Sequence, residues 1–110
     1  MKNIIFLIPF FNEEKNLKTL SDLIKKISLN RNLAFKILFL DDCSTDNSFK
    51  IIQEFKSKNM DDNLIIYQNS QNLGHGKSLL KLFELTKDYI DEADTIVTLD
   101  SDSKIEYDEF

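Results

Sequence analysis

Two aspartates, Asp100 and Asp102, stand one residue apart at the end of a short apolar run, residues 95–99. In an extended segment, residues i and i+2 project to the same side, so this Asp-Ser-Asp triplet aims two carboxylates at one point. Hard divalent cations prefer oxygen ligands, and Mg²⁺ is commonly held by one or two carboxylates together with substrate phosphates. The triplet therefore indicates a metal and phosphate site.

A second acidic pair, Asp41 and Asp42, follows another apolar run. One carboxylate of such a pair can contact a ligand while the other caps or braces the loop, and we favour a functional role for the pair. The residues that come next, Ser44, Thr45 and Asp46, are of types that form turns and helix N-caps. We interpret these three as structural.

A glycine-containing segment, residues 74–78, resembles the end of a phosphate-binding loop, but Gln71 stands where that loop requires glycine. The sequence therefore does not predict a P-loop. Glycines before a helix still let a ligand approach the backbone, although a tight turn and helix start explain them equally well. A metal or catalytic role for His75 would require partner residues that the sequence alone does not identify, so we interpret His75 as a loop histidine. Lys77 could meet a phosphate, but an exposed lysine in the first helical turn is the simpler interpretation.

The elements that must position these residues alternate between apolar runs and helical patterns. The predicted strands are residues 3–8, 35–40, 64–67 and 95–99, and the predicted helices are residues 15–29, 47–58 and 77–90. This alternation is typical of an α/β fold with a parallel sheet and flanking helices. Uninterrupted apolar strands agree with it, because parallel strands are covered on both faces.

Local signals set the expected limits of these elements. Pro9 is expected to end the first strand, Asn12 or Glu13 to lie near the cap of the first helix, and Asp46 to cap the second. The third helix is expected to pack through four apolar residues, Leu79, Leu80, Phe83 and Leu85.

Polar clusters follow every predicted strand, at residues 9–14, 41–46, 69–78 and 100–102. Right-handed crossovers bring the carboxyl ends of parallel strands to one edge of the sheet, which is where ligands of such sheets bind. We predict the strand order 3-2-1-4, with all four clusters at that edge. The last strand would then be an apolar edge strand, and we expect it to promote self-association.

Bulk properties exclude several classes of protein. The 110 residues suffice for one small domain, and a net charge of −5 without a cluster of lysines or arginines argues against nucleic acid as a partner. The longest apolar stretch, residues 4–11, is too short to span a bilayer. Cys43 is the only cysteine and cannot form an internal disulfide, which fits a reducing compartment. We expect a cytoplasmic protein, or one at the cytoplasmic face of a membrane.

Four segments together resemble the family 2 glycosyltransferases. They are residues 8–17, 40–48, 72–79 and 99–103, and they occur in the order and spacing of that family. The resemblance covers the whole chain. It implies a GT-A, Rossmann-like fold and an inverting enzyme, which transfers a sugar from a nucleoside-diphosphate donor to a glycan, lipid or other acceptor, as in polysaccharide biosynthesis.

The resemblance also implies roles for individual residues. Pro9, Asn12 and Glu14 border the nucleotide pocket, and Asp42 matches the aspartate that contacts the base. Cys43 departs from the family, which usually has glycine there. A type I turn accepts most residues, so we expect this departure to have a modest local effect.

By the same resemblance, Asp100 is the first acid of the DxD motif, near ribose and diphosphate, and Asp102 binds Mg²⁺ or Mn²⁺, with Asp100 as a further ligand. A metal there would neutralise charge on the departing nucleoside diphosphate. Gly76 and Lys77, at the start of the third predicted helix, are candidate contacts of the same donor.

Members of the family continue well beyond the DxD motif, through the acceptor site and the general base. The resemblance therefore implies that residues 1–110 are the donor-binding part of a glycosyltransferase domain, truncated at its C-terminal side. We expect this part alone to be inactive, and we assign no catalytic base within it.

Three alternatives stay open at this point. One is a nucleotide-binding remnant without catalysis. Another is a haloacid dehalogenase-like phosphatase, but its DxD follows the first strand, and Lys104 occupies the place of its Thr or Val. The third is a receiver-like signalling domain, whose third strand ends at an acid, whereas the third predicted strand here ends near Asn69.

Overall fold

The computed structural model of the protein describes residues 2–29, 33–59, 63–89 and 95–99. In chain order the elements are β1 (Lys2–Phe10), α1 (Glu14–Ser28), β2 (Leu33–Asp41), α2 (Ser48–Asn59), β3 (Leu64–Gln68), α3 (His75–Leu85), a 3₁₀ turn (Thr86–Asp88) and β4 (Thr95–Thr98). Every predicted strand and helix is present, although several limits differ by a few residues.

The four strands form one parallel sheet in the order β3-β2-β1-β4. This confirms the predicted α/β class, the parallel pairing and the strand order. β1 and β2 pair along their whole length, from Lys2 opposite Leu33 to Phe10 opposite Asp41. Their carboxyl ends therefore finish level with each other, and the loops that follow them start side by side.

Apolar side chains on the two faces of the sheet belong to two separate core clusters. Phe6 and Phe39 pack with Leu17 of α1 in the first cluster, which also includes residues of α2. Leu7, the neighbour of Phe6 in sequence, packs with Leu82 of α3 in the second. Successive strand residues point to opposite sides of the sheet, so strands that are apolar throughout place apolar side chains on both faces. Helices therefore cover both faces. Within the described residues, no helix is long and apolar enough to cross a bilayer.

β1 continues through Pro9, whereas the sequence predicted that the strand would end there. The carbonyl of Leu7 accepts from the N–H of Leu99 on the β4 side, and that of Phe10 accepts from the N–H of Asp42 on the β2 side. Alternate residues of a strand in a parallel sheet direct their backbone groups to opposite neighbours, so the nitrogen of Pro9 faces the β4 side. The proline therefore removes no hydrogen bond between β1 and β2.

α3 packs against the sheet through only part of the face that the sequence predicted. Leu82 is buried, and Leu79 and Leu85 pack against the second core cluster. Leu80 is 66% exposed and Phe83 is 40% exposed, so the prediction that these two pack inward was wrong. They lie one residue after Leu79 and Leu82, and a step of one residue turns a side chain by about 100° around a helix.

Candidate functional site

The carboxyl ends of β1, β2 and β3 lie at one edge of the sheet, as predicted, and each is followed by a loop. We call these loop 1 (residues 11–13), loop 2 (residues 42–47) and loop 3 (residues 69–74). Each loop leads directly into a helix. Hydrogen bonds that involve side chains join loop 2 to loop 1 and to loop 3.

Asn12 clamps loop 1 to loop 2. Its Oδ1 accepts from the backbone N–H groups of Thr45, at 2.8 Å, and Asp46, at 3.3 Å. Its own backbone N–H donates to Oγ of Ser44 over 3.0 Å. Asn12 has a φ of 52°, a left-handed conformation that asparagine adopts more readily than most residues. The side chain thus fixes the rim between the two loops.

Asp46 ties the starts of α1 and α2 together. Its carboxylate accepts from the backbone N–H groups of Ser48, at 2.9 Å, and Glu14, at 3.4 Å. Asp46 thus satisfies the first N–H of α2, as predicted for a cap, but from one residue before the N-cap position, which Asn47 occupies because its carbonyl accepts from the N–H of Ile51. Burial acts to raise the pKa of the Asp46 carboxyl, but the hydrogen bonds from Ser48 and Glu14 outweigh it and leave the pKa below its ordinary value.

Asp41, at the end of β2, is fully buried and braces the start of loop 2. Its Oδ1 accepts from the backbone N–H of Ser44 over 2.9 Å and also from the Ser44 hydroxyl. Its Oδ2 accepts from Nε2 of Gln68, in β3, over 3.2 Å. Both carboxylate oxygens are therefore engaged within the protein.

Asp42 holds loop 3 in place. Its Oδ1 accepts from the backbone N–H of Leu73 over 2.7 Å and from Nδ2 of Asn69 over 3.0 Å. Its Oδ2 accepts from the backbone N–H of Gly74 over 2.9 Å. Burial acts to raise the pKa of Asp42, but these hydrogen bonds and one from the Ser78 hydroxyl lower it below its ordinary value. Asp42 is 3% exposed.

Both members of the acidic pair thus brace loops, whereas the sequence predicted this role for only one of them. The contact between Asp42 and a base stays a prediction. The structural roles predicted for Ser44 and Thr45 are confirmed by their bonds to Asp41 and Asn12.

The first turn of α3 is exposed to solvent at this edge of the sheet. Gly74 precedes the helix with a φ of 91°, which favours glycine, and it provides no side-chain cap. Gly76 and Lys77 are exposed, as predicted for Lys77. His75 begins α3, so its placement in a loop was wrong. The N-terminus of a helix carries partial positive charge, which favours anions.

Two further residues of this edge, Phe11 and Cys43, have features that the sequence did not predict. Phe11 is 42% exposed, and it is the one large apolar side chain that loops 1 to 3 expose. Its exposure was not predicted from the sequence, although an aromatic residue directly after a strand end was the available signal. Cys43 has a φ of 62°, so the expectation of a type I turn, whose central residues have negative φ, was wrong there. This left-handed conformation favours the glycine that the family usually has.

Asp100 and Asp102 lie outside the described residues, so the structure does not place their carboxylates. Leu99, which precedes Asp100 in sequence, donates its N–H to the carbonyl of Leu7 over 3.0 Å. In the described part of the chain, no group of three or more His, Cys, Asp or Glu side chains could hold a metal ion.

The parallel sheet and its flanking helices match the GT-A fold of glycosyltransferases in comparisons with solved structures. Staphylococcus aureus TarS (residues 1–349), solved in complex with UDP-GlcNAc, superposes with a TM-score of 0.71 and 27% identity, covering 93% of this chain and 27% of that one. Mannosyltransferase PcManGT from Pyrobaculum calidifontis, solved in complex with GDP-Man and Mn²⁺, gives a TM-score of 0.74 at 18% identity, covering 90% and 27%. At that identity the second likeness concerns the fold alone.

The family follows from the sequence profile of glycosyl transferase family 2, which matches residues 5–110. The chain belongs to this family. It is 27% identical over 103 residues to the undecaprenyl-phosphate 4-deoxy-4-formamido-L-arabinose transferase of Proteus mirabilis, covering 93% of this chain and 29% of that protein. The chain spans less than a third of the length of the curated relatives it matches. Membership of this family rules out the haloacid dehalogenase-like phosphatase and the receiver-like signalling domain.

Proposed function

We propose that the protein is an inverting glycosyltransferase that uses a nucleoside-diphosphate sugar, and that residues 1–110 supply the donor side of its site. The observation that carries this proposal is the hydrogen-bonded joining of loops 1, 2 and 3 at the carboxyl edge, in a chain of glycosyl transferase family 2. Loops that are fixed before the ligand arrives lose little conformational freedom on binding, which favours affinity.

The exposed groups of this edge suit the chemistry of a nucleoside diphosphate. The ring of Phe11 offers a stacking surface for a base, because every base has a π-face. The first turn of α3 offers backbone N–H groups and the ammonium of Lys77 to the diphosphate, with Gly76 allowing close approach. TarS, which is 27% identical to this chain, was solved with such a donor, UDP-GlcNAc.

The remaining predicted contacts surround the nucleotide at the same edge of the sheet in this proposal. Pro9, near the end of β1, and Glu14, at the start of α1, border it on either side of loop 1. Asn12 contributes by holding loop 2, and Asp42 contributes by holding loop 3. The direct base contact that the resemblance implies for Asp42 stays a prediction; in this proposal Asp42, which is buried and hydrogen-bonded within the protein, acts by holding loop 3.

We further propose that Asp100 and Asp102 hold Mg²⁺ or Mn²⁺. Paired carboxylate oxygens are the donor set that these cations prefer. Three other aspartates lie at the end of β2 and in loop 2: Asp41, Asp42 and Asp46. They already accept hydrogen bonds from the protein, which leaves the DxD pair as the better ligands. A bound cation would offset negative charge on the diphosphate leaving group.

The acceptor belongs to the whole protein, and the general base is unassigned among residues 1–110. We place both in the additional length that the relatives have, and we therefore expect the 110 residues alone to bind donor without transferring sugar. The named substrate of the Proteus mirabilis relative makes an undecaprenyl phosphate the first acceptor class to test.

A calorimetric screen of UDP, GDP, CDP and ADP with Mn²⁺ tests the donor proposal. We expect one nucleoside diphosphate to bind, and Asp102→Ala to weaken its metal-dependent binding by about tenfold or more, as loss of a metal ligand should. Asp22→Ala, an exposed aspartate on α1, is the matched control and should bind like wild type. Failure of all four to bind, or equal metal-dependent affinity in wild type and Asp102→Ala, would contradict the proposal. Donor binding by the full-length protein without transfer or donor hydrolysis would identify the nucleotide-binding remnant instead.

A further inference from the structure

The ammonium group of Lys81, in α3, contacts the buried side-chain amide of Asn69. Its Nζ donates to Oδ1 of Asn69 over 2.7 Å. Asn69 is 3% exposed, whereas Lys81 is otherwise exposed on the helix surface. A hydrogen bond from a charged donor is about twice as strong as one between neutral groups. This contact therefore has a strong influence on how the Asn69 side chain is oriented.

The amide of Asn69 faces in one direction because of this contact. With its Oδ1 on the ammonium, its Nδ2 is directed at Oδ1 of Asp42, 3.0 Å away, and at Oγ of Ser78, 3.2 Å away. The reversed amide would place its oxygen against the Asp42 carboxylate and its hydrogens against the Lys81 ammonium. Both contacts would then be repulsive, so Lys81 reinforces, from the opposite side of the amide, the orientation that satisfies Asp42.

Asp42 connects Asn69 to loop 3, because its carboxylate also accepts hydrogen bonds from the backbone N–H groups of Leu73 and Gly74. Ser78 and Lys81 lie three residues apart on α3 and so share a face of the helix. Asp42, Asn69 and Ser78 are all buried. Hydrogen bonds in such a dry, connected network strengthen one another, and the loss of one weakens the rest.

We propose that Lys81 is a positioning residue. By orienting Asn69 it keeps Asp42 on the N–H groups of Leu73 and Gly74, and it thereby sets the place of loop 3 and of the first turn of α3. The effect of Lys81 on donor affinity rests on the proposed function, which puts the diphosphate at that turn. The effect of Lys81 on the position of loop 3 is independent of the proposed function.

The test compares Lys81→Met, which removes the cation, with Lys81→Arg, which keeps it, in the full chain. Lys87→Met makes the same chemical change at an exposed lysine beyond α3 and serves as the control. Amide hydrogen exchange at Leu73 and Gly74 is measured by NMR, and affinities for UDP and GDP are measured with Mn²⁺. We expect Lys81→Met to speed exchange at both amides and to weaken nucleotide binding about tenfold. Lys81→Arg and Lys87→Met should match wild type in both.

The two measurements separate the two proposals. If wild type binds neither UDP nor GDP while Lys81→Met still speeds exchange at Leu73 and Gly74, positioning by Lys81 stands and its link to these donors fails. If exchange at the two amides is the same in wild type and Lys81→Met, positioning by Lys81 is wrong, whatever the nucleotide affinity. A loss that Lys81→Arg does not restore would also overturn it, because a cation is the group proposed to act.

Discussion

The backbone N–H of Gly74 lies 2.9 Å from Oδ2 of Asp42, across 32 residues of sequence. Gly74 directly precedes α3, and Asp42 directly follows β2. The Asp42 carboxylate thus connects the end of β2 to the start of α3, the helix that follows β3. An acidic pair typical of a ligand site is here part of the framework that holds the site in shape.

Replacing Asp42 with asparagine should destabilise the protein. The amide that replaces the carboxylate can keep an oxygen toward Leu73, but it then turns an NH₂ group toward the N–H of Gly74. A buried donor left without an acceptor costs about 1–3 kcal/mol, and we expect the free energy of unfolding to fall by that amount. Urea unfolding measures it, with Asp22→Asn as the exposed control. Equal unfolding midpoints for Asp42→Asn and wild type would contradict this role.

Acid should weaken the fold through Asp42 and Asp46. Burial raises the pKa of each carboxyl in the folded protein, but the hydrogen bonds to it prevail and lower that pKa. A lowered folded pKa stabilises the protein above the unfolded pKa, about 3.9 for aspartate, and this stabilisation is lost as the pH falls through the folded pKa. We therefore expect their contribution to be constant from neutral pH to about pH 5 and to decline below about pH 4.

Unfolding free energies of wild type and the variant Asp42→Asn/Asp46→Asn, measured between pH 7 and pH 2.5, test this dependence. The variant is less stable at neutral pH, and its stability should decline less steeply below about pH 4 because two titrating groups are gone. Parallel curves for the two proteins in the acid range would show that these carboxyls are not responsible.

Cys43 should tolerate glycine and reject a β-branched residue. Its φ of 62° costs an ordinary side chain about 1–2 kcal/mol, and glycine adopts this conformation freely. Glycine also loses about 0.5–1 kcal/mol more chain entropy on folding, so the two effects nearly cancel in Cys43→Gly. Cys43→Val should unfold at a clearly lower urea concentration than wild type. A Val variant as stable as the Gly variant would argue against the left-handed conformation.

Phe11 should contribute to nucleotide binding without contributing much to stability. It is 42% exposed, and stacking on a base is worth about 1–3 kcal/mol by alanine substitution. We expect Phe11→Ala to weaken nucleoside-diphosphate binding about tenfold, measured by calorimetry. Leu80→Ala removes an even more exposed apolar side chain, on the outer face of α3, and should leave affinity unchanged. An equal effect of both variants would rule out stacking at Phe11.

The fold could be predicted from the sequence because its signals are local. Apolar runs such as residues 35–40 mark strands covered on both faces, and right-handed crossovers leave few ways to order four of them. The strand through Pro9 was missed because the effect of a proline depends on which neighbour its nitrogen faces. The face of α3 was partly missed because Leu79, Leu80, Leu82 and Phe83 place apolar side chains on more than one side of the helix.

The site was less predictable, because its bonds join residues distant in sequence. Loops 1 to 3 could be placed at one edge from the order of the elements alone. The hold of Asp42 on Leu73 and Gly74 could not, since it depends on how loop 3 is shaped when it passes loop 2. The orientation of Asn69 by Lys81 is likewise set by a helix that starts after loop 3 ends.

The central claim is that a nucleoside diphosphate and its metal bind at the carboxyl edge of this sheet. Amide NMR spectra of the protein, recorded with the nucleoside diphosphate that binds and with Mg²⁺ replaced stepwise by paramagnetic Mn²⁺, test it directly. The proposal predicts strong broadening at Phe11, Cys43 and Gly76, weak broadening at Ala34 and Leu64 near the opposite strand ends, and loss of the pattern in Asp102→Asn. Equal broadening at both ends of the sheet, or stronger broadening at Ala34 and Leu64, would contradict it.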